Sequence, residues 1–181
     1  TMDKRIKDIE IKYQGPVFDV ERIELNLPDG RSRKYDMVKI QDAVTILPVD
    51  TEGFIYFVRQ YRIGANKEML ELPAGKIEEG EEALKTAERE IREEIGFAAG
   101  KMQPLGKFYV SPGYSTEFMY TFLATELYPA PLAPDQDEFL NVVKLSAAQV
   151  RQLISSGELE DSKSLATLYL ALPLVDLLRS N

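Results

Sequence analysis

The sequence predicts an α/β fold preceded by a small antiparallel sheet, and three patterns carry that expectation. The first is the nearly continuous apolar run Ala43 to Val49, which suits a strand covered on both faces. The second is a stretch of strong helix formers, Glu81 to Ile95, in which Ala83, Leu84, Ala87, Ile91 and Ile95 recur at helical spacing. The third is the alternation of apolar and polar residues from Ile6 to Tyr13 and again from Val17 to Leu27.

The first alternating pair is broken at Gly15-Pro16 and ends in the Pro28-Asp29-Gly30 turn. Its phase slips at Glu21-Arg22, where a strand would carry a bulge. Charged, strand-rich sequence continues to about Ile40 and then gives way to the apolar block, so the expected division is residues 1–41 and residues 42–181. Phe54 to Val58 follows the Thr51-Glu52-Gly53 turn as a second central strand, and Gly96 stands where a helix ends on a left-handed residue. Shorter strands are expected at Lys107 to Val110 and Phe118 to Thr125, with an exposed loop from Pro129 to Pro134. Two helices close the chain: Ser146 to Ser156, stopped by Gly157, and Ser164 to Arg179, interrupted or kinked at Pro173. The apolar excess of the last helix suits either a core or a dimer contact.

Composition narrows the chemistry. The chain has 181 residues, enough for one domain with a small appendage. A net charge of -8 argues against a nucleic-acid partner, whose phosphates call for surplus cations. With neither Cys nor His there is no thiolate zinc site, no disulfide and no imidazole base. No apolar run approaches the roughly 20 residues that span a bilayer, so a cytoplasmic protein without membrane contact is expected.

Between Lys76 and Glu94 stand eight glutamates and four basic residues, a concentration of like charge that asks for a cation. On a helix Glu90, Glu93 and Glu94 project together, and hard divalent ions take such oxygens. Charge alone favours a solvated acidic face with some Lys and Arg pairing. The spacing is more specific. Gly75, Glu81, Arg89-Glu90-Ile91, Glu93-Glu94, Gly96 and Phe97 fill every defined position of the Nudix box, which the segment resembles without departure.

That resemblance implies an α/β/α sandwich with a mixed central sheet and divalent-metal hydrolysis of a nucleoside diphosphate compound. It implies Mg2+ as cofactor, with Mn2+ able to substitute, and as ligands Glu90, Glu94, Glu93 and the Ala74 carbonyl. Gly75 would let the backbone approach the metal, while Glu81 with Arg89 would brace the loop against the helix. Glu81 also suits a helix N-terminus by its charge alone.

Val58-Arg59-Gln60-Tyr61-Arg62, Glu71-Leu72-Pro73-Ala74-Gly75, Ser111-Pro112-Gly113 and Glu117 are similar to segments of the ADP-ribose pyrophosphatases within that superfamily. The implied reaction is attack of a metal-activated water on the diphosphate of ADP-ribose, giving AMP and ribose 5-phosphate. Arg59 and Arg62 are the phosphate-binding candidates, although one of them could be a strand-edge surface charge. Phe18 resembles an aromatic that stacks on adenine, in a homodimer whose subunits exchange N-terminal sheets; a lone Phe on a strand is more often core. The general base stays open among Glu138, Asp137 and Glu93. Competing substrates are GDP-mannose or another nucleotide sugar, a dinucleoside polyphosphate and an oxidised nucleotide; a different class is a nucleotide-binding regulator that has lost turnover.

Overall fold

The computed structural model describes residues 5–133 and 140–174. Contacts divide the chain into two compact units, Thr1–Asp42 with Tyr109–Phe118, and Ala43–Phe108 with Met119–Asn181.

In the first unit, β1 (Ile6–Gln14), β2 (Asp19–Asn26) and β3 (Ser32–Lys39) form an antiparallel meander. The expected bulge at Glu21-Arg22 is not in β2, which pairs with β3 without interruption from Asp19↔Lys39 to Asn26↔Ser32. The irregularity lies opposite: the register of β1 slips between Ile11 and Tyr13, so Lys12 is the extra residue. Two adjacent polar residues mark where the partner strand is bulged, since Glu21 and Val20 face Ile11 and Tyr13. Segment Tyr109–Phe118 is held to the end of β3, with Val38 N–H donating to the Tyr114 carbonyl at 2.7 Å and Thr116 N–H to the Val38 carbonyl at 3.0 Å.

The second unit contains β4 (Ala43–Pro48), β5 (Ile55–Arg62), β6 (Lys67–Glu71), β7 (Ala74–Lys76), α1 (Ala83–Glu94), β8 (Phe97–Tyr109), β9 (Phe118–Pro129), β10 (Asn141–Leu145), α2 (Ala147–Ser156) and α3 (Ser162–Ala171), the ends of β8 and β9 entering the first unit. One sheet has the order β7-β4-β9-β8, with β4 parallel to β9 and antiparallel to β7; the other has the order β10-β5-β6 and is antiparallel.

Strand alternation sorts the core into two layers. Val44, Ile46, Val58, Phe122 and Ala124 pack with Ala87, Ile91 and Ile95 of α1. Leu47, Ile55, Phe57 and Leu123 point the other way, to Val150 of α2 and Leu168 and Ala171 of α3. The result is a layer of two sheets, the larger of them mixed, between helices, in keeping with the sandwich that the resemblance implied. Leu84 departs from the expected stripe and is 38% exposed. It lies within about 20° of Ile91 round the helix, so its place in the first turn of α1, and not its face, leaves it exposed.

The strand expected at Lys107 to Val110 is the tail of the longer β8, which runs through Gly100, Pro104 and Gly106 because it is an edge strand, where a missing N–H is tolerated. β9 likewise runs past Thr125 to Pro129. Pro173 does not kink a helix: α3 ends at Ala171, with Leu172 as its cap, and the expected continuation beyond residue 174 lies outside the described residues. Among the described residues no helix is long and apolar enough to cross a membrane.

Candidate active site

The site is assembled on one face of α1. Ala87 and Ile91 fix the rotation of the helix by facing the sheet, which brings Thr86, Glu90 and Glu94 to the next row round, toward β7. Glu90 and Glu94 are accordingly buried, at 8% and 5% exposure. Glu94 accepts from the Ala74 N–H at 3.0 Å, at the first residue of β7. Next to it, β7 pairs Gly75 with Val44, and a Cβ on Gly75 would stand 1.8 Å from Glu90 Oε1. Only a residue without a side chain admits the carboxylate here.

Arg89 binds the group together. Its guanidinium donates to Glu81 Oε1 at 3.1 Å and Oε2 at 3.0 Å, to Glu90 at 2.8 Å, to Glu93 at 2.8 Å and to the Lys76 carbonyl at 3.2 Å. The bidentate bond from Arg89 pulls the Glu81 carboxyl down to about 2, against a smaller opposing effect of burial. The pairing with Glu81 likewise raises Arg89, so the guanidinium stays charged at any working pH. Glu81 is thus tied to α1 through Arg89, besides standing just before the helix N-terminus.

Among the described residues no three acidic side chains converge as a ready-made metal cage. Arg89 instead bridges Glu90 and Glu93 through one nitrogen. The residues nonetheless fit a hard divalent cation. Two carboxylates taken out of water on one helix face, beside a backbone stripped of its Cβ, form an oxygen-lined cradle that a side chain would fill.

The other sequence candidates fall into separate places. Arg62, the last residue of β5, donates from Nε and Nη2 to Glu71, each at 2.8 Å, and lies within electrostatic reach of Glu94. Arg59 has the opposite strand parity and lines a shallow recess with Met69, Leu153, Glu158 and Glu160. Phe18, Ser111, Pro112, Gly113 and Glu117 all belong to the first unit. Phe18 is 40% exposed rather than core, 6.1 Å from the Tyr13 ring, and lines a cavity of about 430 Å³ with Gly15, Pro16, Lys39 and Gln41. Ser111-Pro112-Gly113 is a tight turn in which Tyr114 and Ser115 N–H both donate to the Ser111 carbonyl, at 3.2 and 2.9 Å, and the Glu117 carbonyl accepts from Val110 N–H at 3.1 Å. Glu138 and Asp137 lie outside the described residues.

Sequence reasoning missed the role of Glu71. A charged residue enclosed by Met69, Leu70, Leu72 and Pro73 was the available signal, since a lone acid in an apolar run is either a break in a strand or a buried partner.

Residues 39–168 match the NUDIX domain, and the chain belongs to that family. It is a pyrophosphohydrolase, of a family whose hydrolases generally need divalent metals. It is 38% identical over 154 residues to the ADP-ribose pyrophosphatase of Bacillus subtilis (strain 168), covering 84% of this chain and 83% of that one. It is 34% identical over 173 residues to the methanol dehydrogenase activator of Bacillus methanolicus, covering 94% and 93%. Among solved structures, an ADP compounds hydrolase superposes with a TM-score of 0.84 at 28% identity over 93% of this chain and 91% of that one.

Proposed function

We propose that the protein hydrolyses the diphosphate of a nucleoside diphosphate sugar with magnesium, ADP-ribose foremost, releasing AMP and ribose 5-phosphate. The observation that carries this reading is the pair of buried carboxylates, Glu90 and Glu94, held against the bare Gly75 backbone in a chain 38% identical to an ADP-ribose pyrophosphatase.

Glu90 and Glu94, with Glu93 and the Ala74 carbonyl, are the proposed magnesium ligands, manganese being a chemically close substitute. The bound ion would supply an activated water and offset charge on the diphosphate. Arg89 keeps Glu90 and Glu93 in place and lowers their mutual repulsion. Arg62 is the proposed grip on the diphosphate, in preference to Arg59, because it is the arginine beside the glutamate helix. Phe18 is proposed to stack on the base, with Ser111 to Gly113 and Glu117 completing the substrate contacts. The proton-accepting base remains among Glu93, Glu138 and Asp137.

Replacement of Glu94 by Gln removes a charge with little change of volume. The expected outcome is a fall in magnesium-dependent turnover of at least about 100-fold, with circular dichroism and melting temperature retained. Unchanged hydrolysis overturns the ligand assignment. Parallel assays on ADP-ribose, GDP-mannose and a dinucleoside polyphosphate, with products identified, decide the substrate. The likeness to an activator protein supports a second reading, a nucleotide-binding regulator without turnover. The intact Glu90, Glu93 and Glu94 favour the enzyme, and nucleotide binding without product in every assay would favour the regulator.

A further inference from the structure

A chain of charged groups runs from the start of α3 to the end of β5, and the metal chemistry makes no direct use of it. Asp161 caps α3, accepting from Ser164 N–H at 2.9 Å and from its hydroxyl at 2.6 Å. The same hydroxyl oxygen accepts from Leu72 N–H at 2.7 Å. Lys163 donates to Asp161 at 2.6 Å and stands 3.5 Å from Glu71 Oε2. Glu71 in turn accepts two bonds from Arg62 at 2.8 Å.

The two ends of the Arg62 pair are unequal. The Glu71 side chain is 1% exposed, whereas that of Arg62 is 43% exposed. A buried carboxylate needs its cations, and Lys163 and Arg62 together offset it. The half-exposed guanidinium is not needed as a plug, because an apolar pair of similar volume would fill such a site without a desolvation penalty. A guanidinium has two edges that can grip paired oxygens. Glu71 occupies the Nε and Nη2 edge, so the edge formed by Nη1 and Nη2 is directed away from it. Three residues beyond Glu71 on the same segment, the Ala74 N–H reaches Glu94. The support for Arg62 and the support for the glutamate helix are therefore one continuous stretch of backbone.

We propose that Glu71, backed by Lys163 and Asp161, is a positioning residue: it locks one edge of the Arg62 guanidinium so that the opposite edge meets paired diphosphate oxygens as a fixed fork. This rests on the reading above, in which Arg62 grips a nucleoside diphosphate sugar. A long side chain ordered before the substrate arrives does not lose its rotamer freedom on binding, and a fixed fork also aligns the phosphorus for attack.

The test is a double-mutant cycle on steady-state kinetics with ADP-ribose and magnesium, using Arg62→Ala, Glu71→Gln and the pair combined. A glutamine at 71 can accept one of the two bonds and carries no charge. The expected result for Glu71→Gln is a rise in KM of about tenfold with a much smaller fall in kcat. In the Arg62→Ala background the same change is expected to move KM less than about twofold, because the group being positioned is gone. If Glu71→Gln does not yield folded protein, Lys163→Met decides, with a KM rise of roughly threefold expected in the wild-type background and none with Arg62→Ala. An active wild type in which the two changes multiply independently overturns the inference and leaves the reading of the substrate intact. A wild type with no hydrolysis of ADP-ribose overturns that reading, and the inference with it.

Discussion

At the scale of single residues, the site depends on how one cation is distributed among several anions. Arg89 meets three carboxylates and a carbonyl, and its bidentate bond lowers the Glu81 carboxyl to about 2 from an ordinary 4.5. The sign of its pH dependence follows. A group with a depressed folded-state value contributes stability that is fully present above its unfolded value and is lost as pH falls toward the folded one. The stability difference between wild type and Glu81→Gln, from urea unfolding at a series of pH values, is therefore expected to be full above about pH 5 and to close toward pH 2. A difference that does not change across that range would show that the pair contributes nothing to folding. Gly75 belongs to the same scale: the 1.8 Å approach to Glu90 explains a glycine whose backbone needs no left-handed angle.

At the scale of elements, the helices that frame the second unit end as their sequences direct. α2 begins at Ser146, which accepts from Gln149 N–H at 3.3 Å while the Gln149 side chain accepts from the Ser146 N–H at 2.9 Å, and it stops at Gly157 with φ of 77°. The Ser start and the Gly157 stop were legible in the sequence, as was Gly96, whose φ is also 77°. Ser146→Ala is expected to lower stability by about 1 kcal/mol, measured by urea denaturation, without altering KM for the substrate. A loss of KM would mean that α2 contributes to the site. α1, by contrast, starts at Glu82 with no side-chain cap, and Arg89 with Glu81 supplies the tie at that end. β6, β7 and β10 were not legible. Each is five residues or fewer, and each is defined by the strand it pairs with rather than by its own alternation.

At the scale of the whole molecule, we propose a homodimer formed through exchanged N-terminal sheets. The supporting observation is the apolar surface of the first unit: Ile9 of β1, Ile23 of β2 and Tyr35 of β3 stand opposite one another, and Ile9 and Tyr35 are 38% and 39% exposed, with Ile11 at 55% and Tyr13 at 51%. Apolar side chains gathered on one small sheet mark an interaction surface. Light scattering at micromolar concentration is expected to give twice the chain mass, and Ile11→Asp to shift it toward one; a wild-type monomer overturns the proposal.

The sequence by itself determined the family and the chemistry of the glutamate helix, because helical spacing converts Glu90, Glu93 and Glu94 directly into neighbours and the box fixes six further positions around them. It also determined the central strands, the start and stop of α2 and the Gly96 end of α1, which follow from local periodicity and capping. Only the tertiary structure decided which arginine lies within electrostatic reach of Glu94, through the strand parity that turns Arg59 to Leu153 and Arg62 to Glu71. It alone revealed that Lys163 and Asp161, some ninety residues away in the chain, support Glu71. Such contacts depend on sheet register and on the packing of a distant helix, and neither leaves a period in the sequence to be read.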